Sequence, residues 1–110
     1  MDITTRKLKE HTIVYIKGEI DLYNAGTLKK TMFNIAEKGA ESIILDMKDV
    51  PYVDSSGVGL LVVTKKKLEN DNKQFALLNV NEDIYKVLKI AAFHKFFKMY
   101  SNEDEIKKNN

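Results

Sequence analysis

The chain has 110 residues, 44% hydrophobic and 31% charged, with 18 basic and 16 acidic side chains and a net charge of +2. That length suits a single domain, residues 1–110, able to bury a core without covalent staples, and the absence of cysteine excludes disulfides, thiolate zinc sites and cysteine nucleophiles. The lysines are scattered among acids, which gives no basic stripe for nucleic acid. The longest apolar run, Val58 to Val63, is far too short to span a bilayer.

The opening, Met1 to Arg6, has no apolar h-region, so no signal peptide is expected and a reducing cytoplasm suits the cysteine-free composition. Residues 2–8 alternate weakly, as an edge strand does. Thr12 to Lys17 is rich in β-branched and aromatic residues and predicts a firmer strand. The short polar Lys9-Glu10-His11 between them suggests a hairpin. Gly18-Glu19-Ile20-Asp21 breaks the pattern. From Asn24 the period becomes helical, with Ala25, Leu28, Met32, Ile35 and Ala36 on one face. Asn24 is the expected N-cap and Gly39 the stop.

Ser42 to Met47 reads as a buried central parallel strand, and Lys48 to Val53, with the sole proline Pro51, as a connector. Asp54-Ser55-Ser56-Gly57 opens a second helix that runs to about Glu69 and is ended by Asn70-Asp71-Asn72. Phe75 to Val80 is the next buried strand. Asn81 or Asp83 starts a third helix carrying Ile84, Val87, Leu88 and Ala91 on one face. Phe96 to Tyr100 is a last short strand, and Ser101 to Asp104 resembles the cap and first turn of a small terminal helix. The closing Lys-Lys-Asn-Asn is expected to fray. The order β-β-α-β-α-β-α-β-α predicts an α/β fold, a small mixed and mostly parallel sheet with an N-terminal hairpin and four helices packed on it.

The informative stretch is Val53-Asp54-Ser55-Ser56-Gly57-Val58-Gly59. Asp54 and Ser55 are both N-cap candidates. Gly57 and Gly59 stand in the first turns, where a good helix former would be better by about 1 kcal/mol each. Two such costly residues point to close approach of another backbone or of a partner. On physical grounds alone the stretch reads as a capped helix with glycines packed tightly on the sheet.

The stretch resembles the signature of the STAS family, whose anti-sigma factor antagonists carry Asp-Ser-Ser/Thr/Ala-Gly-Leu-Gly at this turn. It stands here as Asp54-Ser55-Ser56-Gly57-Val58-Gly59. The likeness extends along the chain: Gly18-Glu19-Ile20-Asp21 with Ala25 and Leu28, Ile43-Ile44-Leu45-Asp46 with Val50, Val87-Leu88 and Phe96-Phe97. Departures are Val58 for leucine and Ala91-Ala92 where the family often has glycine.

The resemblance implies the STAS fold and phosphorylation at Ser55, the serine directly after the aspartate. It implies an anti-sigma factor partner, an ATP-dependent serine kinase that the unmodified protein binds, freeing the sigma factor, and a protein serine phosphatase that restores that form. It places Asp21, Asp54, Ser56, Gly57 and Gly59 beside the phosphosite or at the partner surface. A monomer is expected, with no catalysis, cofactor, metal, nucleic acid or membrane of its own. Phosphate at a helix N-terminus meets unpaired N–H groups and the positive end of the dipole. Beside Asp54 and Asp21 it would concentrate negative charge and repel a docking surface matched to the neutral form. No large conformational change is required.

Rival readings are a serine-dependent hydrolase, a nucleotide-binding enzyme, and a STAS subunit of a lipid-transport or stress-sensing complex. The residue two before Ser55 is Val53, so Gly-x-Ser-x-Gly is absent. His11 and His94 read as ordinary surface or boundary histidines. No phosphate-binding loop of the Gly-x-x-x-x-Gly-Lys type is present, and Asp46 and Asp49 read as solvated acids at a strand end. Lys65-Lys66-Lys67 reads as a solvated helix end. Val58, Leu61, Val62 and Leu68 form the core stripe of the second helix. Leu60 and Val63 fall partly off it, either exposed toward a partner or part of a wide buried face.

Overall fold

The computed structural model describes residues 1–108. Its elements are β1 (Asp2–Leu8), β2 (His11–Lys17), α1 (Ala25–Glu37), β3 (Ser42–Asp49), α2 (Ser55–Asn70), β4 (Gln74–Leu78), α3 (Glu82–Ile90), β5 (Lys98–Tyr100) and α4 (Glu103–Lys108). The five strands form one sheet in the order β1-β2-β3-β4-β5. The opening hairpin is antiparallel, and every later pair is parallel. This is the expected α/β arrangement. β5 is shorter than expected, because Phe96 and Phe97 precede the strand and turn inward.

Alternation along the strands sorts the core into two layers. Val14, Ile16, Ile43, Leu45, Phe75 and Leu77 face α1, α2 and α3, which contribute Leu28, Met32, Leu61, Leu68, Ile84 and Leu88. Ile13, Ile44, Ala76 and Leu78 face the other way, where Tyr100 and Ile106 of α4 cover them. Ile44 and Leu78, which lie in the two apolar runs expected to form buried strands, are buried. Leu60 is buried and Val63 is exposed, so the wide face of α2 includes the first and excludes the second. α4 is anchored by the Arg6–Glu103 ion pair. It continues through Lys107 and Lys108, which were expected to fray; Asn109 and Asn110, named in the same expectation, lie outside the described residues.

The first three helices end in the same way. In α1, Gly39 N–H donates to Ala36 O and Ala40 N–H to Ile35 O; in α2, Asn72 N–H to Glu69 O and Lys73 N–H to Leu68 O; in α3, Ala92 N–H to Lys89 O and Phe93 N–H to Leu88 O. These are Schellman motifs, which place one residue in the left-handed region. That residue is Gly39 (φ 113°), Asn72 (φ 60°) and Ala92 (φ 64°) in turn. The first two suit the conformation, whereas the Ala92 methyl makes it strained. The Ala91-Ala92 departure therefore falls at the helix stop itself.

Candidate functional site

The loop that leaves β2 and the loop that leaves β3 meet at the N-terminus of α2. Ile20 N–H donates to Tyr52 O at 3.0 Å, and Asp54 N–H donates to Ile20 O at 3.2 Å. The two segments form a parallel bridge at Ile20 and Val53. Asp54 is the N-cap of α2, with Oδ1 accepting from Gly57 N–H at 2.9 Å. Its Oδ2 accepts from Leu22 N–H at 3.1 Å. One carboxylate thus caps the helix and clamps the preceding loop against it.

Of the two cap candidates the structure selects Asp54, and Ser55 is the first helical residue. Ser55 is exposed. Ser56 is half-buried and lines a shallow groove between α1 and α2 with Ala25, Gly26, Gly59, Leu60 and Val63. It faces α1, not the sheet. The two serines therefore differ in access, and the difference follows from the 100° turn between neighbours on a helix.

The two glycines have different reasons. A Cβ on Gly57 would stand 2.4 Å from Ile20 O and 2.7 Å from Val53 Cγ1. Only glycine lets α2 approach the Ile20–Val53 bridge this closely. A Cβ on Gly59 would meet no atom of the described residues within 4 Å. Its openness leaves the groove shallow beside Ser56.

Asp21 works within its own turn. Its Oδ1 accepts from Tyr23 N–H and Asn24 N–H, each at 3.0 Å, and its backbone carbonyl accepts from Ala25 N–H at 2.8 Å. Asn24 occupies the N-cap position of α1 but makes no side-chain cap; its Nδ2 donates to Glu19 O instead. The expected capping role has passed to Asp21, three residues earlier, because a turn at 21–24 precedes the helix. The Leu22–Asp54 bond brings this turn against the start of α2. Large apolar side chains stand exposed around it: Leu22 (69%), Tyr23 (87%), Tyr52 (51%) and Val63 (48%). Such a concentration is unusual for a surface without a partner. Sequence reasoning offered only Val63 here, as one of two residues either exposed toward a partner or part of a wide buried face; Leu22, Tyr23 and Tyr52 read as loop positions of no particular direction.

His11 is 3% exposed, not a surface residue, and its Nδ1 lies 2.7 Å from Ser42 Oγ at the start of β3. It therefore sits at the end of β3 away from Ser55. His94 stacks edge-on with Tyr85 at 6.0 Å. Neither histidine is placed as a base for Ser55. Asp46 is buried, not solvated, and accepts from Lys48 N–H and Asn79 Nδ2. Asp49 accepts from the Tyr15 hydroxyl. That bond, then burial and the charge of Asp49, push the Tyr15 pKa up to about 12. Among the described residues no group of three or more His, Cys, Asp or Glu side chains could hold a metal ion, and no helix is long and apolar enough to cross a membrane.

Comparison with known proteins bears on the family and the fold. The profile of the STAS domain matches residues 2–106. The anti-sigma-B factor antagonist of Staphylococcus aureus is 28% identical over 103 residues, 94% of each chain. That of Bacillus subtilis is 38% identical over 79 residues, 72% of each chain. A solved Thermotoga maritima structure superposes with a TM-score of 0.90 at 26% identity, covering 97% of this chain and 92% of that one. The anti-sigma factor antagonist SpoIIAA in its unphosphorylated form shares the fold at a TM-score of 0.79 and 21% identity, covering 97% of this chain and 95% of its own. With the profile spanning nearly every residue and the signature at the turn between β3 and α2, the chain belongs to the STAS domain family.

Proposed function

We propose that this protein is an anti-sigma factor antagonist that works by docking, not catalysis, and that phosphorylation of Ser55 switches the docking off. The observation that carries the reading is the exposed Ser55 next to Asp54, which holds the Leu22 N–H, with Leu22, Tyr23 and Tyr52 exposed on the two loops that meet there. An apolar surface around a neutral hydroxyl favours burial against a partner. A phosphate there adds about −1.5 to −2 charge, which that interface would have to desolvate. The partner is an anti-sigma factor with ATP-dependent serine kinase activity, and a serine phosphatase reverses the modification. Asp54, Asp21 and Gly57 shape the surface, while Ser56 and Gly59 line the groove beside it. The protein acts as a cytoplasmic monomer and binds neither nucleic acid nor membrane.

The test is incubation with the host's anti-sigma kinases and ATP, followed by site-resolved mass spectrometry. Ser55→Ala should bind the kinase and take up no phosphate. Ser56→Ala should remain a substrate, and Ser55→Asp should stay folded and bind poorly. Phosphate on Ser56 in the Ser55→Ala variant at the parent rate, with loss in Ser56→Ala, would move the switch to Ser56. Recovery of a transporter ATPase in place of an anti-sigma factor would favour the lipid-transport reading.

A further inference from the structure

We propose that a second site, at the opposite end of α2 from Ser55, binds a small amphipathic anion: a flat apolar body carrying a phosphate. The site is a cleft of about 440 Å³ between the C-terminal half of α2, the turn before β5 and the start of β4. That volume suits a small ligand. β5 pairs with β4 only from Ala76 onward, so no β5 residue pairs with Gln74 or Phe75 and the cleft opens there. Ten helical residues separate Ser55 from Lys65, about 15 Å along the axis.

Four lysines line the cleft, Lys65, Lys73, Lys95 and Lys98; Glu69 lines it with them, and Glu10 and Glu41 stand in the adjoining hollow beside His11, Ser42 and Lys98. Two of them are held in place. Lys65, with its side chain 12% exposed, pairs with Glu69 at 2.6 Å and lies 4.6 Å from the Phe96 ring centroid. Lys73, 15% exposed, donates to Ala40 O at 2.9 Å and lies 3.6 Å from Glu41. The ordinary explanation, that the lysines serve as structural ion pairs, accounts for these two. It does not account for Lys95 and Lys98. Both are exposed, and neither pairs with a carboxylate among the described residues. Lys98 instead lies 5.3 Å from the Tyr100 ring. A concave surface with an excess of one charge focuses the field on an anion.

The lining supplies the rest of the recognition. Half-buried Phe96 gives an apolar wall for a flat body, packed edge to face at 5.2 Å on Phe97, which belongs to the core. Ser42 and His11, 5% and 3% exposed, also line the cleft and hydrogen-bond each other. The other ring nitrogen of His11, Nε2, lies 3.3 Å from the Glu10 carboxylate, so that end of the cleft disfavours an anion and the anionic head is placed toward the exposed Lys95 and Lys98. The ligand is therefore amphipathic, with its body against Phe96 and its phosphate among the lysines.

The test titrates isotope-labelled full-length protein with 1-naphthyl phosphate, followed by amide chemical shifts. Saturable shifts are expected at Lys65, Lys73, Gln74 and residues 95–98, with the Ser55 turn unmoved. Affinity should fall as salt is added. The double variant Lys95→Gln/Lys98→Gln changes only exposed side chains and should keep the parent's spectrum. It should lose about tenfold or more in affinity, at about 1.4 kcal/mol per decade. Inorganic phosphate should bind more weakly than the naphthyl ester. Shifts centred on the Ser55 turn, undiminished binding by the double variant, or equal affinity for inorganic phosphate would each overturn the assignment. So would saturable binding of an acidic peptide at these residues with none of the aromatic phosphate. None of these outcomes bears on the switch proposed at Ser55.

Discussion

Replacing Gly57 and Gly59 by alanine, one at a time, should move stability in opposite directions. Helix propensity favours alanine over glycine by about 1 kcal/mol at both positions. At Gly59 nothing opposes that gain, since the new methyl meets no described atom within 4 Å, and the variant should be more stable by about 0.5–1 kcal/mol. At Gly57 the methyl would lie 2.4 Å from a backbone oxygen, Ile20 O, and 2.7 Å from Val53 Cγ1. The oxygen cannot rotate away, because Ile20 is tied to Tyr52 and Asp54 by backbone bonds. Ordinary carbon contacts lie at about 3.5 Å, so the first turn of α2 must retreat by about 1 Å. Overpacking of this kind costs about 1–3 kcal/mol. Retreat also stretches the bonds from Gly57 and Leu22 to Asp54, each worth about 1.5–3 kcal/mol when the acceptor is charged. After the propensity gain, Gly57→Ala should be less stable by about 2–3 kcal/mol. Urea unfolding reads the contrast: with a slope of about 1–3 kcal/mol per molar, the two midpoints should separate by about 1–3 M. A Gly57→Ala variant as stable as its parent would refute the close approach of α2 to Ile20, and with it the geometry of the docking surface.

Three further outcomes follow from particular side chains. Among the described residues the Thr64 hydroxyl is buried without a hydrogen-bond partner, so Thr64→Val should stabilise by about 1 kcal/mol in the same urea assay. Ala92→Gly should relieve the left-handed strain at the end of α3 and stabilise by about 0.5–1 kcal/mol once the greater freedom of unfolded glycine is subtracted, with a melting temperature higher by about 2–6 °C. The Tyr15 hydroxyl has its pKa raised from 10.0 to about 12 by its bond to Asp49. Its contribution to stability is therefore complete below pH 10 and is lost as the pH rises toward 12; ultraviolet titration should find one tyrosine ionising late, and Tyr15→Phe should abolish that step.

Much of the fold was legible because β-branched runs and helical periods alternate cleanly, and the three central strands β2, β3 and β4 each carry an uninterrupted apolar run. Ile44 and Leu78 are buried for that reason. The site was legible as a segment but not as a geometry. Asp54 and Ser55 are adjacent cap candidates, and a one-residue choice decides which side chain is spent on the helix and which stays exposed. Pattern cannot make that choice; the Leu22 N–H, brought in from another loop, helps to make it. His11 was misread because polarity suggests the surface. Its burial depends on the register that places Thr12 opposite Ile43, and so His11 beside Ser42. Ser42 immediately precedes an apolar run and His11 stands two residues before one, a signal that becomes readable only when the two strands are known to pair. Ala92 was visible as a departure, but its cost becomes apparent beside Gly39 and Asn72 in the same motif.

The clamp at Asp54 also bears on how the proposed switch would act. Both carboxylate oxygens are occupied, one by the helix and one by the 21–24 turn. A phosphate on Ser55 would repel Asp54, and the question is whether it opens the clamp or only alters the surface. Two charges against one, about 5 Å apart, interact by about 2 kcal/mol at the dielectric of water and by about 7 kcal/mol at the lower dielectric of a protein surface. Breaking the clamp would sacrifice two charge-assisted bonds, together about 3–6 kcal/mol. The positive end of the α2 dipole offsets about 0.3–1 kcal/mol of the repulsion. With Ser55 exposed to water and salt the lower figure applies, the clamp holds, and the modified protein is expected to keep its fold. On this balance the switch acts through charge and bulk at the docking surface. The amide shifts of phosphorylated protein should then change around Ser55 and Leu22 without spreading into the sheet, and a loss of ordered structure at the 21–24 turn on phosphorylation would contradict it.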